Sequence, residues 1–465
     1  MFEAKIYKDR RATLIRLMKE KGQKGIIVFL GNASAPCQFI NNEYKWRQDS
    51  TWLYYFGIDE PLYAAIIDLD EGTQTVFADD VALEDIIWTG PTPSVAEVAA
   101  TSGIDRTDRY CKLDWAVSEA IIKGRPVHAI KPTRYYNRMK AADLGIDAPS
   151  EVLSRAIIQM RLIKEDREIE LMDKACSLGQ QMHVIARKGL RPGRMEQEIV
   201  GELEGFAIGR GWGMSFPTIL TQHGEIFHNH SHGSAIEPGK LIVIDAGLES
   251  NEHYASDFTR TYPAGGKFTP RQRDIYSIVY ECNETAFAMT SPGVAYRDIH
   301  IAVTRIILDR MRTLGLVRGD VDAMVETGVG GLFLPHGLGH NIGLDAHDME
   351  DLCEDWVGYD PDQKRSDLPG LHSLRMARKL VAGNVVTDEP GIYFIPELIG
   401  KWKTEGKAKD FVNYDKLEEY FGFGGIRLED DVLVTREGAR HLGNERLPIA
   451  PDEVEKAMEE DASGR

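Results

Sequence analysis

The sequence predicts an α/β protein, more narrowly α+β, in which a small α/β domain leads a larger one. Short β-branched runs alternate with helical stretches over the first 150 or so residues, and from about Ser154 the pattern changes to long amphipathic helices followed by further strands. At 465 residues the chain is also too long for one ordinary core, since domains usually take roughly 100–200 residues. The boundary is placed near residue 155, which gives domains over 1–155 and 156–465.

In the first domain Arg10 to Lys21 is a helix candidate. Strand-like runs follow at Gly25–Gly31, Ala64–Asp70 and Thr73–Asp79, and the turn Asp70-Glu71-Gly72 reads as a hairpin signal. Between the first two runs, Trp46, Trp52, Tyr54, Tyr55 and Phe56 show no clear period and read as core or as an interface between copies of the chain. Arg125–Pro132 is a further strand bounded by prolines. In the second domain Ile169, Met172, Cys176, Gly179 and Met182 line one helical face. Acidic residues crowd the start of that helix and Arg187-Lys188-Gly189 closes it, as the helix dipole and glycine caps favour. A second helix begins at Met195, and Thr269-Pro270-Arg271-Gln272 opens a third with a capping residue, Pro at the first position and Gln at the third. Arg297–Leu314 is a fourth, and the tail from Pro451 reads as a solvated, frayed helix.

Composition narrows the function classes. With 55 basic and 73 acidic residues the formal charge is −18, which disfavours nucleic acid or anionic membrane as a partner. Bound divalent cations would neutralise part of that acidity. No run approaches the roughly 20 apolar residues of a membrane helix, and the charged N-terminus lacks the apolar stretch of a signal peptide. Five scattered cysteines without a C-x-x-C pair argue against a disulfide framework and against a thiolate metal site, and a reduced cytoplasm fits best.

Chemistry concentrates around Leu332–Asp348, where His336, His340 and His347 stand among Gly337, Gly339 and Gly343. Each glycine costs about 1 kcal/mol in a helix interior, so an irregular, close-packed backbone presenting imidazoles is expected. Upstream, an apolar run delivers Asp245, and a hairpin centred on Asn251 would set Asp257 directly opposite it. Two like charges so placed call for a cation, although aspartates also cap turns. Glu389 precedes Pro390-Gly391, and Arg427 and Glu429 share one face of a strand, with Ile426 and Leu428 on the other. Asp245, Asp257, Glu389, Glu429 and His340 together offer four carboxylates and one imidazole, enough for two divalent cations. Oxygen-rich ligation suits Mn²⁺, with Co²⁺, Fe²⁺ or Zn²⁺ as alternatives. Two such metals can hold a bridging hydroxide and polarise a carbonyl, the needs of peptide hydrolysis at neutral pH.

The segments IDAG, SDFTRTYP, HGLGHNIGLDAHD, DEPGIYF and GGIRLEDD resemble, in identity, order and spacing, the signature of the creatinase, aminopeptidase P and prolidase family. RQDSTWLYYFGIDEP is similar to that family's N-terminal domain. One departure is the eleven residues between Asp245 and Asp257, one more than relatives usually have. The resemblance implies a pita-bread catalytic domain and hydrolysis of the bond between an N-terminal residue and proline. It implies metal ligation by Asp245, Asp257, His340, Glu389 and Glu429, with Glu389 also handling the proton of the attacking water. His228 would steady the tetrahedral intermediate, and His336 and His347 would face the substrate, with His347 shuttling protons beside neighbours such as Arg427. His230 and His232 match no role and read as solvated. Arg375 matches a prolidase residue that clamps the substrate's C-terminal carboxylate, against the alternative of a surface arginine. Xaa-Pro aminopeptidase is the expected activity, with Xaa-Pro dipeptidase next. A non-catalytic peptide-binding pita-bread module is disfavoured by the full ligand set, and a methionine aminopeptidase by the large N-terminal domain. A homodimer or higher homo-oligomer is expected, with the aromatic segment 44–56 contributing to its interface.

Overall fold

The computed structural model describes residues 2–463. The chain divides into two compact units, Met1–Arg161 with Asp351–Cys353, and Leu162–Glu350 with Glu354–Arg465. Residue 155 lies inside the last helix of the first unit, Glu151–Arg161.

In the first unit the strands β1 (Ile26–Leu30), β2 (Ala64–Asp68), β3 (Gln74–Phe77), β4 (Thr107–Asp108) and β5 (Val127–His128) form one sheet in the order β4-β3-β2-β1-β5. The hairpin expected at Asp70-Glu71-Gly72 joins β2 to β3, with Ala64 opposite Phe77. The first helix runs Ala4–Glu20, six residues earlier than expected at its start, because Tyr7 packs inward and Arg10 donates to the Tyr54 carbonyl. The aromatic run settles as core. Asp49 caps a helix over Ser50–Phe56, in which every residue is buried, and Trp52 stacks on Phe56 with centroids 4.4 Å apart. Trp52, Tyr54, Tyr55 and Phe56 are therefore not available as an interface between copies, since a folded monomer already covers them. Gly57 ends that helix in the left-handed region, at φ 62°, where a side chain would be strained.

The second unit contains β6 (Gly213–Met214), β7 (Ile219–Thr221), β8 (Leu241–Ala246), β9 (Leu248–Glu249), β10 (Phe258–Pro263), β11 (Val385–Asp388), β12 (Gly391–Tyr393), β13 (Gly425–Arg427), β14 (Asp430–Val434) and β15 (Ala439–His441). They form sheets in the orders β10-β8-β7 and β11-β14-β15, with smaller pairs β12-β13 and β6-β9. Two helix pairs cover them. Asp166–Gly189 packs on Glu196–Arg210, and Pro270–Met289 packs on Tyr296–Thr313. The Thr269 capping box forms as expected. One core includes Met182, Leu203, Ile242, Ile244, Val303, Leu338 and Leu428, all inaccessible to solvent, and each such aliphatic side chain contributes about 1.5–3 kcal/mol of burial. The tail differs from expectation. Pro451–Ser463 buries Val454, Ala457 and Met458, and Asp461 accepts from Arg187 at 2.7 Å, so this helix is docked rather than frayed.

Candidate active site

Both faces of β8 are buried, and it delivers Asp245 near its end. The register with β10 places Thr259, not Asp257, opposite Asp245. Asp257 lies one residue before β10 begins, offset by two from the expected pairing, because the connection leaves the hairpin to pair β9 with β6 and turns through a left-handed His253 (φ 70°). The two-residue offset keeps Asp257 and Thr259 on the same side of the strand.

The stretch expected to be one strand through Arg427 and Glu429 is broken. Glu429 falls between β13 and β14, which belong to different sheets, and is bridged to Thr259 of β10. The Thr259 hydroxyl donates to Glu429 Oε2 at 2.6 Å. Arg427 donates to the Thr259 hydroxyl at 3.2 Å and the Tyr393 hydroxyl at 3.0 Å, and pairs with Asp245. Arg427 is thus a partner of Asp245 and Tyr393 rather than of His347, whose ring nitrogen lies 3.2 Å from Glu350.

The histidine segment takes no regular structure, as its glycines foretell. Its backbone lies flat against β11. The Thr387 N–H donates to the His340 carbonyl at 3.0 Å and the His340 N–H to Thr387 Oγ1 at 3.1 Å. A Cβ at Gly339 would sit 2.0 Å from the Thr387 carbonyl oxygen, so only glycine fits. His340 Nδ1 faces the Asn341 carbonyl at 3.1 Å, which makes that nitrogen the donor and leaves the Nε2 lone pair towards Asp257 at 3.6 Å and Glu389 at 3.7 Å. Burial lowers the His340 pKa to about 3, so the ring is neutral. His347 stacks on it with centroids 3.8 Å apart.

Asp257, His340 and Glu429 each offer a ligand atom within 4.8 Å of the other two, the sole such grouping of metal-binding side chains among the described residues. These residues fit a cation. Asp257 Oδ1 is buried without a hydrogen-bond partner. Burial first, and then mutual repulsion with Glu429, Asp245 and Glu389, pushes the Asp257 carboxyl well above the ordinary range. Glu429 is raised likewise by burial and by Glu389 and Asp245, and burial raises Glu389 as well. Such crowding is relieved by a positive charge placed between the carboxylates. Asp245 has one oxygen committed to Arg427, leaving Oδ1 to bind.

These groups open into a cavity of about 670 Å³ whose lining includes all ten residues singled out from the sequence: His228, Asp245, Asp257, His336, His340, His347, Arg375, Glu389, Arg427 and Glu429. His336 donates from Nδ1 to the Gly337 carbonyl at 2.7 Å, so its Nε2 accepts from the Tyr393 hydroxyl at 2.7 Å. Burial pulls the His228 pKa down from its ordinary value. His230 also lines the cavity, with Nδ1 3.4 Å from the Thr218 carbonyl, and His232 Nδ1 sits 3.2 Å from the Leu220 carbonyl. His230 is exposed, as expected, whereas His232 is half-buried. Arg375 stands at the cavity but is paired with Glu350 and Glu354.

Four supporting residues were not foreseen. Thr259 and Tyr393 lie inside the quoted segments SDFTRTYP and DEPGIYF, so their signal was local. Asp431 ends the quoted segment GGIRLEDD, but nothing local shows that its Oδ2 accepts from the Asp257 N–H at 2.9 Å and from the Cys176 thiol at 3.2 Å, since the first contact spans 174 residues of chain. Glu354 had no local signal.

Residues 170–436 match metallopeptidase family M24, and residues 7–128 match the aminopeptidase P N-terminal domain. The chain is 30% identical to a human Xaa-Pro dipeptidase, over 97% of its own length and 92% of that protein's. It is 29% identical to a probable Xaa-Pro aminopeptidase of Sordaria macrospora, over 99% and 96% of the two chains. Among solved structures it resembles zinc-substituted Escherichia coli aminopeptidase P in complex with product, with a TM-score of 0.78 at 26% identity over 99% of both chains. It also resembles Pseudomonas aeruginosa aminopeptidase PepP, with a TM-score of 0.79 at 27% identity and the same coverage. The second unit has the pita-bread fold, and the chain belongs to metallopeptidase family M24.

Proposed function

We propose that this chain is a metal-dependent exopeptidase that cleaves between an N-terminal residue and a following proline, acting as an Xaa-Pro aminopeptidase. The observation that carries the reading is the buried cluster of Asp257, His340 and Glu429 at the floor of a peptide-sized cavity, in a chain whose relatives include proteins named for Xaa-Pro cleavage. Asp245, Asp257, His340, Glu389 and Glu429 are the ligands of two divalent cations, and four carboxylates with one imidazole favour Mn²⁺ over Co²⁺, Fe²⁺ or Zn²⁺. Cations held there supply Lewis-acid polarisation of the scissile carbonyl and acidify water.

The chain's own groups do the rest. Glu389, raised by burial, takes the proton of the attacking water and passes it towards the leaving proline nitrogen. His336 lies 3.7 Å from Glu389. With its Nδ1 proton engaged and Nε2 held by Tyr393, it is fixed in one tautomer facing the substrate. His228 and His347 line the same wall, His228 donating to the developing oxyanion. Arg427 orients Asp245. Removing the Tyr393 hydroxyl with Tyr393→Phe leaves His336 Nε2 and one Arg427 nitrogen without their partner, and a loss of roughly 10-fold or more in kcat/KM is expected, as for other groups that orient metal-site residues. Steady-state kinetics check it, and an unchanged kcat/KM counts against the tautomer role.

The cysteines are free and no helix among the described residues is long and apolar enough to cross a membrane. We place the enzyme in the reduced cytoplasm, as a homodimer or higher homo-oligomer. Dipeptidase activity is the second reading, favoured by the relatives named Xaa-Pro dipeptidase. The deciding experiment strips the protein with a chelator, restores Mn²⁺, and compares Ala-Pro-Ala with Ala-Pro. Tripeptide hydrolysis that vanishes on chelation and returns with metal is expected. Negligible tripeptide turnover beside brisk Ala-Pro cleavage would make it a dipeptidase.

A further inference from the structure

Arg365, Arg375 and Glu354 line one part of the cavity, and Glu350 and Asp355 are paired with the two guanidiniums without lining it. Glu354 accepts from Arg365 Nη2 at 2.5 Å and from Arg375 Nη1 at 3.0 Å. The same Arg375 nitrogen pairs with Glu350 Oε2, an oxygen that also lies 3.2 Å from His347 Nδ1. Arg365 is itself held hard. It bonds Asp355 at 2.7 Å, donates to the carbonyls of His372 and Leu374 at 2.9 and 2.8 Å, and lies over the Tyr359 ring. Glu354 is therefore pinned from behind by an arginine with little freedom to move, and its second oxygen caps Arg375.

A substrate carboxylate arriving at Arg375 finds the guanidinium already neutralised. Both carboxylates engage Nη1, so a substrate carboxylate that binds Nη2 or Nε comes up beside two negative charges already paired with that guanidinium. A peptide that continues past proline presents a neutral amide at that place and meets no such penalty. Like-charge juxtaposition is a common way to exclude a wrong partner. We propose that Glu354 is a specificity-determining residue, which caps Arg375 and so disfavours dipeptides, whose free carboxylate is carried by the proline itself. Glu354 has this role rather than Glu350, because Glu350 also touches His347 whereas Glu354 is shared between arginines alone. The inference rests on the Xaa-Pro reading above and deepens it.

The test compares kcat/KM for Ala-Pro and Ala-Pro-Ala in the metal-loaded full chain and its variants. In Glu354→Gln the ratio of Ala-Pro to Ala-Pro-Ala is expected to rise about fivefold, mainly through a lower KM for Ala-Pro, a size set by a partly exposed ion pair. Glu354→Asp, which keeps the charge, should stay within about twofold of the parent ratio. In the unaltered protein, KM for Ala-Pro should fall as salt rises from about 0.05 to about 0.5 M, because screening weakens the repulsion. A Glu354→Gln ratio equal to the parent's, or a KM for Ala-Pro that rises with salt, overturns the role of Glu354 while leaving Xaa-Pro cleavage intact. An unaltered protein that cleaves neither peptide removes the Xaa-Pro reading, and this proposal with it.

Discussion

Asp257→Asn is expected to lower kcat/KM for Ala-Pro-Ala by roughly 10³-fold, about 4 kcal/mol of transition-state stabilisation. The side chain keeps its volume and loses its charge. Asp257 is buried, with Oδ1 lacking any hydrogen-bond partner and His340 Nε2 3.6 Å from Oδ2, so the carboxylate is placed to bind a cation. Its backbone is held independently by Asp431, which favours a folded variant. Metal analysis after Mn²⁺ loading should show a reduced metal content per chain. A variant that keeps full metal and more than about a tenth of the activity, roughly 1.4 kcal/mol of lost stabilisation, would remove Asp257 from the ligand set.

Gly339→Ala is expected to cost about 3 kcal/mol or more of stability, at the upper end of what overpacking does. The new methyl would lie 2.0 Å from the Thr387 carbonyl oxygen and 3.0 Å from its hydroxyl. Relief by sliding is blocked, since the chain is held on either side of the clash, by the Glu389 N–H donating to the Leu338 carbonyl at 2.8 Å and by the two bonds between His340 and Thr387. The segment must lift from β11 and carry His340 with it, so the variant should lose metal as well as stability. Gly400→Ala is the control. It lies in the helix Pro396–Glu405 with nothing within 4 Å of its Cβ, and should be neutral or stabilising by a few tenths of a kcal/mol up to about 1. Urea unfolding of both variants checks the pair, and a Gly339→Ala midpoint matching that of Gly400→Ala would show that the close approach is not a constraint.

How much of this was legible in the sequence follows from how local each signal is. Strand β1, the hairpin from β2 to β3 and the Thr269 capping box are set by neighbours within a few residues, and their patterns could be read directly. Eight of the ten cavity residues could be picked out from their own segments, whereas His228 and Arg375 came only with the family resemblance. The pairing of Asp245 was misjudged because an even hairpin was assumed, whereas the connection leaves the hairpin to pair β9 with β6 and the register shifts by two. The tail helix was misread because charged residues dominate its composition, while Val454 and Met458 supply an apolar face that only the packed core reveals. Arg375 could be named, but not the two carboxylates that occupy it, since Glu354 reaches it across a turn of unpredictable shape.

The break between β13 and β14 also bears on the order in which the molecule comes together. Glu429 is tied to Thr259 through a contact that spans 170 residues of chain, and His340 is fastened to β11 across 47. Contacts of such separation are costly in chain entropy and form slowly. The donors therefore converge only when the C-terminal strands have paired. Of the five proposed ligands Glu429 comes last in the chain, so a chain still being synthesised has the other four before it can complete the set. On the proposed ligand assignment, metal loading follows the pairing of the C-terminal strands rather than preceding it.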